Sequence, residues 1–319
     1  MNSTKAPSAV LLLLLLMHAR AAAQQTAPNA PAPVPAAARQ TASNAPAPAS
    51  TTAQQTASNA PAPASTTTQD PSAPVSTAAQ QPAQNPSAPV PAAEFDRPVS
   101  LKRLIPNLAS DQKKIWLFPL RLFQGKGLLP AGAVLGTTAG LVALDPLDAP
   151  YFRNTTTFNG FNRIFTGNAT QYATVAAPVA FYAAGLLRKD AKMQHTGLLA
   201  METIADCYLV TTAMKDVDRR LRPVAIAPHG NFADTWFEDT THYGRSNGSF
   251  PSGHTIAAFS VATVVARRYG KHRWVPYAAY GLAGLVGFSR LTLSAHFVSD
   301  VFMGGALGYS ISRFVVLRQ

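Results

Sequence analysis

Three short blocks carry the residues whose types and spacing could do chemistry: Lys215 with Arg222-Pro223, then Pro251-Ser252-Gly253-His254, then Ser289-Arg290 with His296 and Asp300. They supply three cations, two histidines, a carboxylate and a glycine-containing turn. Such a set suits a tetrahedral oxyanion and the transfer of a phosphoryl group from it. A phosphate monoester spreads charge over its equatorial oxygens in the transition state, and fixed cations and backbone N–H groups aimed there do most of the work. Arg222 and Arg290 each offer a planar two-pronged donor face, whereas Lys215 acts as a point charge. Ser252 and Gly253 sit where an apolar helical run begins, so their amides are expected as orphan donors at the positive end of a helix dipole. Gly253 also lets the backbone approach a ligand closely.

The two histidines need different roles. His296 and Asp300 are four apart and share one face of a helix. An Asp300 accepting from one ring nitrogen fixes the tautomer and leaves the other nitrogen as nucleophile. On this reading His296 attacks phosphorus in line and forms a phosphohistidine. His254 then protonates the leaving alkoxide and later activates water. Lys215, Arg222 and Arg290 take the neutralising role, so no metal is called for. Each block also has a plainer reading: a basic helix end, a helix start with Ser252 as N-cap, and a surface i,i+4 pair. All three in this order outweigh those.

Together the blocks resemble the signature of the type 2 phosphatidic acid phosphatase superfamily. That family includes membrane lipid phosphatases, soluble bacterial class A acid phosphatases and vanadium-dependent haloperoxidases. Every signature position is matched, and the resemblance extends over roughly Trp116 to Leu317. It implies an all-α helical bundle in which His296 is the nucleophile, Asp300 its partner and His254 the acid/base. It implies phosphate binding by Lys215, Arg222, Ser252, Gly253 and Arg290. The activity implied is a metal-independent phosphomonoesterase of the acid-phosphatase type acting outside the cytoplasm on a soluble or lipid phosphate ester. No cofactor is expected, and vanadate is expected to inhibit. Two alternatives share the pocket: a haloperoxidase with vanadate as cofactor, and an integral-membrane phosphatase of phosphatidic acid or a polyprenyl diphosphate. An envelope anchor or binding module is the non-enzyme reading, but no catalytic residue is missing.

Six apolar segments must position these residues: Leu128–Leu144, Tyr172–Leu187, Gly197–Met214, Thr255–Ala266, Trp274–Phe288 and Phe297–Leu317. The first block ends the third segment, the second opens the fourth, and the third spans the turn between the fifth and sixth. An up-and-down bundle therefore brings all three to one end. The basic stretch Glu94–Lys126 leads in, with Trp116, Leu117, Phe118 and Leu120 expected as apolar contacts. Glu202 and Asp206 are expected on a polar helix face, with support of the basic cluster as the other reading. The connection Val224–Phe250, carrying His229, Trp236, Phe237, Glu238, Asp239, His242 and Arg245, reads equally as a substrate-selecting lid or as a loop pinned by two aromatics.

The chain divides into three parts. Residues 1–23 read as a signal peptide, with Lys5 before the apolar run Ala9–Met17 and Ala21-Ala22-Ala23 as the cleavage site. Residues 24–93 repeat a fifteen-residue unit, Thr26–Gln40, Thr41–Gln55 and Thr56–Asp70, rich in Ala, Pro, Thr and Gln. With almost no large apolar groups, this tract is expected as a disordered linker. Residues 94–319 form the phosphatase-like domain, with 24 Lys+Arg against 14 Asp+Glu, a balance of +10. That excess suits an anionic substrate or membrane surface, and no nucleic-acid-binding pattern accompanies it. Cys207, the one cysteine, is expected to be buried. The oligomeric state is left open.

Localisation is where the sequence conflicts with itself. The basic turns Arg188–Lys192 and Arg267–Arg273 lie opposite the site, so six spans with those turns in the cytoplasm put the site outside. That needs segment one to start inside, whereas a cleaved signal delivers Gln24 onward outside. Short apolar runs and the two acids of segment three favour an exported periplasmic or envelope bundle with possible membrane association. An integral-membrane protein with an outward-facing site is the alternative.

Overall fold

Residues 97–238 and 248–317 are described by the computed structural model of this chain. The signal segment 1–23, the linker 24–93, and Asp239, His242 and Arg245 of the long connection lie outside them.

A lead-in of two helices, α1 (Leu104–Trp116) and α2 (Phe118–Phe123), precedes α3 (Leu128–Asn154). A short α4 (Asn159–Ile164) leads to α5 (Gly167–Leu187) and α6 (Ala191–Asp218). Beyond the long connection come α7 (Gly253–Arg268), α8 (Trp274–Thr292) and α9 (Val298–Ile311), closed by a π-helical turn (Ser312–Val316). No strand occurs among the described residues, so the all-α bundle read from six apolar segments is borne out. The N-termini of α5 and α6 carry local signals. The Thr166 hydroxyl accepts from the Ala169 amide at 3.1 Å and Asp190 from the Met193 amide at 3.0 Å.

Helices exceed the apolar runs that announced them. The first run stops before Asp145-Pro146, yet α3 continues through Pro146 and Pro150 to Asn154. Each proline removes one intrahelical donor. The extension is held from outside by side chains: Asp145 bonds α9, and Ser294 donates to the Phe152 carbonyl at 3.0 Å. Helices α3, α5 and α6 reach 27, 21 and 28 residues. At 1.5 Å per residue each spans roughly 30 Å or more. Among the described residues α3 alone is both long and apolar enough to cross a membrane, so the short-run argument no longer holds for that helix.

The core sits on α6, which presents Leu198, Leu199, Met201, Cys207 and Val210 to Ile256 and Val264 of α7 and to Ile311, Val316 and Leu317. Cys207 is a buried free thiol, as expected. Helices α7 and α9 meet almost backbone to backbone. A Cβ on Gly304 would stand 2.8 Å from the Ser252 carbonyl oxygen, and one on Gly308 would collide with that of Ile256. This close approach keeps the first turns of α7 and α9 side by side.

Two expectations are corrected. Glu202 and Asp206 do not form a polar face and do not reach the basic cluster: both are buried. Glu202 pairs with Arg97, which also holds Asp111 at 2.6 Å, and Asp206 accepts from Gln112 at 2.8 Å. They fasten the lead-in to α6, because acids at that depth need cations or donors brought to them. Trp116, Leu117, Phe118 and Leu120 make few contacts: all four are exposed, as are Phe123, Leu128 and Leu129. Ile115, Leu101 and Leu104 pack inward in their place.

Candidate active site

Four helix ends and the segments beside them build the site, at one end of the bundle as the segment order requires. Lys215 lies in the last turn of α6, His254 in the first turn of α7, Arg290 in the last turn of α8, and Asp300 in the first turn of α9. His296 sits in the turn between α8 and α9, and Arg222 follows α6. Lys215, Ser252, His254, Arg290, His296 and Asp300 are all buried. Arg222 is within electrostatic reach of Lys215, His254, Arg290 and His296, so one charge connects all three blocks.

His296 and Asp300 are paired, but not as two residues on one helix. His296 precedes α9, whose N-cap is Phe297. Its Nδ1 faces Asp300 Oδ2 at 3.5 Å and the Ser249 hydroxyl at 3.4 Å. That Oδ2 also accepts from Ser249 Oγ at 2.5 Å and from the Phe297 amide at 2.9 Å. Oδ1 accepts from Arg220 at 2.7 Å. With Nδ1 turned to the carboxylate, Nε2 is the nitrogen left for a ligand. Burial, with Arg222 and Lys215 nearby, pushes His296 down to about 3 against the opposing pull of Asp300. The ring is therefore neutral at physiological pH, as a nucleophile requires.

His254 Nε2 lies 3.0 Å from the Gly167 carbonyl oxygen. A carbonyl can only accept, so Nε2 donates and Nδ1 of the neutral ring is unprotonated. Arg290 is oriented by its neighbour: Nε and Nη2 donate to Ser289 Oγ at 3.1 and 2.7 Å, and Nη2 also to the Phe165 carbonyl at 3.0 Å. Among the described residues these bonds leave Nη1 without a protein acceptor. Lys215 donates to the Gly248 carbonyl at 2.5 Å.

The second block differs from expectation in one atom. The Ser252 amide is not an orphan, because it donates to the Asp300 backbone carbonyl at 3.0 Å. The Ser252 hydroxyl accepts from Thr255 Oγ1 at 2.9 Å and keeps its own proton to donate. It makes no side-chain cap. Gly253 opens α7, where the first-turn amides have no intrahelical acceptor. A Cβ there would meet only Thr211 Cγ2, at 3.7 Å, so packing does not demand glycine.

Sequence reasoning missed Arg220, Ser249 and Asp145. Arg220 is 1% exposed and bonds Asp300, Asp145, Ser299 and Thr235. Ser249 lies just ahead of the second block, and Asp145 precedes a proline that reads as a helix end. Trp236 of the long connection lies 4.5 Å over the Arg220 guanidinium and meets Phe250 at 5.2 Å, whereas Phe237 is exposed. One aromatic thus pins the loop, and the other faces outward.

Comparison with known proteins finds relatives over the part of the chain that holds the three blocks. The family model described as PAP2 superfamily matches residues 196–319, which contain all three blocks. Over that stretch the resemblance drawn from the blocks is borne out. The lipid A 1-phosphatase of Porphyromonas gingivalis is 41% identical over 71 residues, 22% of this chain and 16% of that protein. Phosphatidylglycerophosphatase B of Bacillus subtilis is 34% identical over 120 residues, 35% of this chain and 52% of that protein. The lipid A 4'-phosphatase of P. gingivalis is 27% identical over 121 residues, 37% and 48% of the two chains. The chain thus spans about half the length of two of these relatives and less of the first. A crystal structure described as the first transmembrane PAP2 type phosphatidylglycerolphosphate phosphatase, from B. subtilis, covers 62% of this chain and 94% of its own. Its identity is 24% and its TM-score 0.38.

Proposed function

We propose that this chain is a membrane-embedded phosphatase that hydrolyses a lipid phosphate through a phosphohistidine at His296. The observation that carries the reading is the convergence of the three blocks around a buried, neutral His296 whose Nδ1 is turned to Asp300. In the first step Nε2 attacks phosphorus, the N–P bond forms, and the P–O bond to the lipid alcohol breaks. His254, which takes up a proton on Nδ1 when the phosphate dianion binds while its Nε2–H stays on the Gly167 carbonyl, gives that Nδ1 proton to the leaving oxygen. A water then attacks phosphorus, His254 takes a proton from it, and the N–P bond breaks to release inorganic phosphate. Lys215, Arg222, Arg290, the Ser252 hydroxyl and the Gly253 amide hold the equatorial oxygens throughout. Vanadate, which resembles phosphate, is expected to compete for the same donors.

The lipid part of the reading rests on the surface of the bundle and on the relatives' names. Helix α3 has a mean hydropathy of 1.5 over its most apolar 18 residues, of which 11% are buried. Leu135, Leu144, Tyr172, Leu187, Trp274, Tyr277, Leu282 and Leu285 are exposed on α3, α5 and α8. A bilayer would cover that apolar surface, and water would not. The Arg188–Lys192 and Arg267–Arg273 turns lie at the end away from His296, and by the positive-inside rule this supports a site on the outer face.

Two experiments test this. The full chain, purified in detergent, is assayed for phosphate release from phosphatidic acid and from p-nitrophenyl phosphate, beside His296→Ala. Release from the lipid that is lost in the variant supports the reading; equal release by the variant overturns it. For orientation, Ala233→Cys beside the site and Lys271→Cys at the far end are exposed positions, while native Cys207 is buried. A membrane-impermeant maleimide should label the first in intact cells and the second only after lysis. The reverse pattern would refute the outward-facing site.

A further inference from the structure

Arg220 and Arg290 are the largest fully buried side chains among the described residues, yet the phosphatase chemistry above gives Arg220 no task. Its donors are spent on protein. Nε donates to Thr235 Oγ1 at 3.2 Å, Nη1 to Ser299 Oγ at 2.8 Å and Asp300 Oδ1 at 2.7 Å, and Nη2 to Asp145 Oδ2 at 2.7 Å. Its flat faces are covered too, by the Phe297 ring at 4.0 Å and the Trp236 ring at 4.5 Å. Four of five N–H groups are used, so this arginine is not a phosphate ligand of the kind Arg222 and Arg290 are proposed to be.

We infer that Arg220, anchored by Asp145 and Ser299, is a positioning residue that fixes the Asp300 carboxylate against His296 and thereby sets the tautomer of the nucleophile. This rests on the phosphatase reading above. Arg220 takes Oδ1 of Asp300, which leaves Oδ2 for Ser249, the Phe297 amide and His296 Nδ1. The clamp is braced in its turn. Asp145 Oδ1 accepts from the Ser299 amide at 3.2 Å, and Oδ2 from the Ser299 hydroxyl at 2.5 Å as well as from Arg220. Asp145 comes from α3, outside the residues that match the family model, so α3 contributes to the site as well as to the bundle. A carboxylate held on both oxygens cannot rotate, and a fixed carboxylate holds the imidazole in one orientation.

A buried ion pair that served only stability would have the same contacts, so the test needs readouts that stability does not move. The full chain and its Arg220→Gln, Arg220→Lys and Asp145→Asn variants are purified in detergent and assayed on phosphatidic acid as kcat, KM and the pH profile of kcat/KM. Charged and titratable groups facing His296 are Lys215 of α6, Arg222 after it, His254 of α7 and Asp300 of α9. Arg220→Gln removes the cation that offsets Asp300, so His296 becomes more basic. The acid limb of kcat/KM then moves to higher pH, while kcat falls at least tenfold and KM changes less than threefold. Arg220→Lys keeps the charge and the limb but loses the fork, giving an intermediate kcat. Asp145→Asn, which touches neither His296 nor Asp300, moves kcat in the same direction by less, and it carries the test if Arg220→Gln does not fold. Imidazole nitrogen NMR of His296 should show Nδ1–H in the wild type and a mixture of tautomers in Arg220→Gln. That readout needs no turnover, so an inactive wild type would overturn the phosphatase reading and leave this inference still decidable. Folded variants with wild-type kcat, limb and tautomer would reduce the clamp to a structural pair. A rise in KM at constant kcat would make Arg220 a substrate ligand.

Discussion

Asp300→Asn changes one atom's chemistry and leaves the shape intact. The carboxylate accepts from Arg220 at 2.7 Å, from Ser249 at 2.5 Å and from the Phe297 amide at 2.9 Å, and it faces His296 Nδ1 at 3.5 Å. An amide offers one acceptor oxygen and two donor hydrogens. With its nitrogen at the Oδ1 position it meets an Arg220 N–H; at the Oδ2 position it meets the Phe297 N–H. Either way a buried donor loses its acceptor, at about 1–3 kcal/mol. Arg220 also loses one of two charged partners but keeps Asp145, so the cost stays below the roughly 3–5 kcal/mol of a buried pair broken outright. A net of about 3 kcal/mol follows, or roughly 6–12 °C in Tm for a domain of this size. The rate should suffer more than the fold. An amide nitrogen facing Nδ1 favours the tautomer with the proton on Nε2, the atom that must attack. We expect kcat to fall about 10²–10⁴-fold. The assay is phosphate release from phosphatidic acid at a temperature where thermal melts show the variant folded. A folded variant with kcat within threefold of wild type would refute the pairing of Asp300 with His296.

Other consequences are more compact. Gly253→Ala should keep the wild-type Tm, because its Cβ meets only Thr211 Cγ2 at 3.7 Å, yet lose at least tenfold in kcat/KM by crowding the oxyanion; unchanged kcat/KM would remove Gly253 from the site. Gly308→Ala should behave oppositely, since its Cβ collides with the α7 backbone. A loss of about 1–3 kcal/mol is expected in a thermal melt. With His296 at about 3, the neutral nucleophile persists as pH falls from neutrality and is lost only as pH falls through that value. The enzyme's acid limb in kcat/KM, corrected for substrate ionisation, should therefore lie below pH 5; a limb near 6.5 assigned to His296 would contradict its burial. Vanadate should inhibit competitively, and a requirement for vanadate with peroxide and bromide would indicate the haloperoxidase chemistry instead.

Much of the site was legible because its residues fall in short local blocks at helix ends. The order of those blocks along six apolar segments already implied that they meet. What the sequence hid depends on distance. Arg220 finds Asp145 and Asp300 across 75 and 80 residues, and no spacing rule signals a buried ion pair of that reach. Glu202 looked like a surface residue because Arg97, its partner, lies 105 positions away. Asp145-Pro146 reads as a helix end by local preference, and the distant contacts with Ser299, Arg220 and Ser294 explain why α3 runs on. The Ser252 amide was assigned to a ligand because a helix start exposes its donors; the Asp300 carbonyl takes it through the α7–α9 contact that Gly304 and Gly308 permit.

The most direct test of the central claim is to trap the intermediate. The full chain in detergent micelles is mixed with lipid phosphate labelled with ³²P, quenched in alkaline detergent, and resolved by gel. The account predicts label on the wild-type chain that survives alkali, is released by acid, and is absent from His296→Ala. His254→Ala should accumulate the label if its slower step is the attack of water. Steady phosphate release with no label on the chain under any quench, or equal label on His296→Ala, would contradict it.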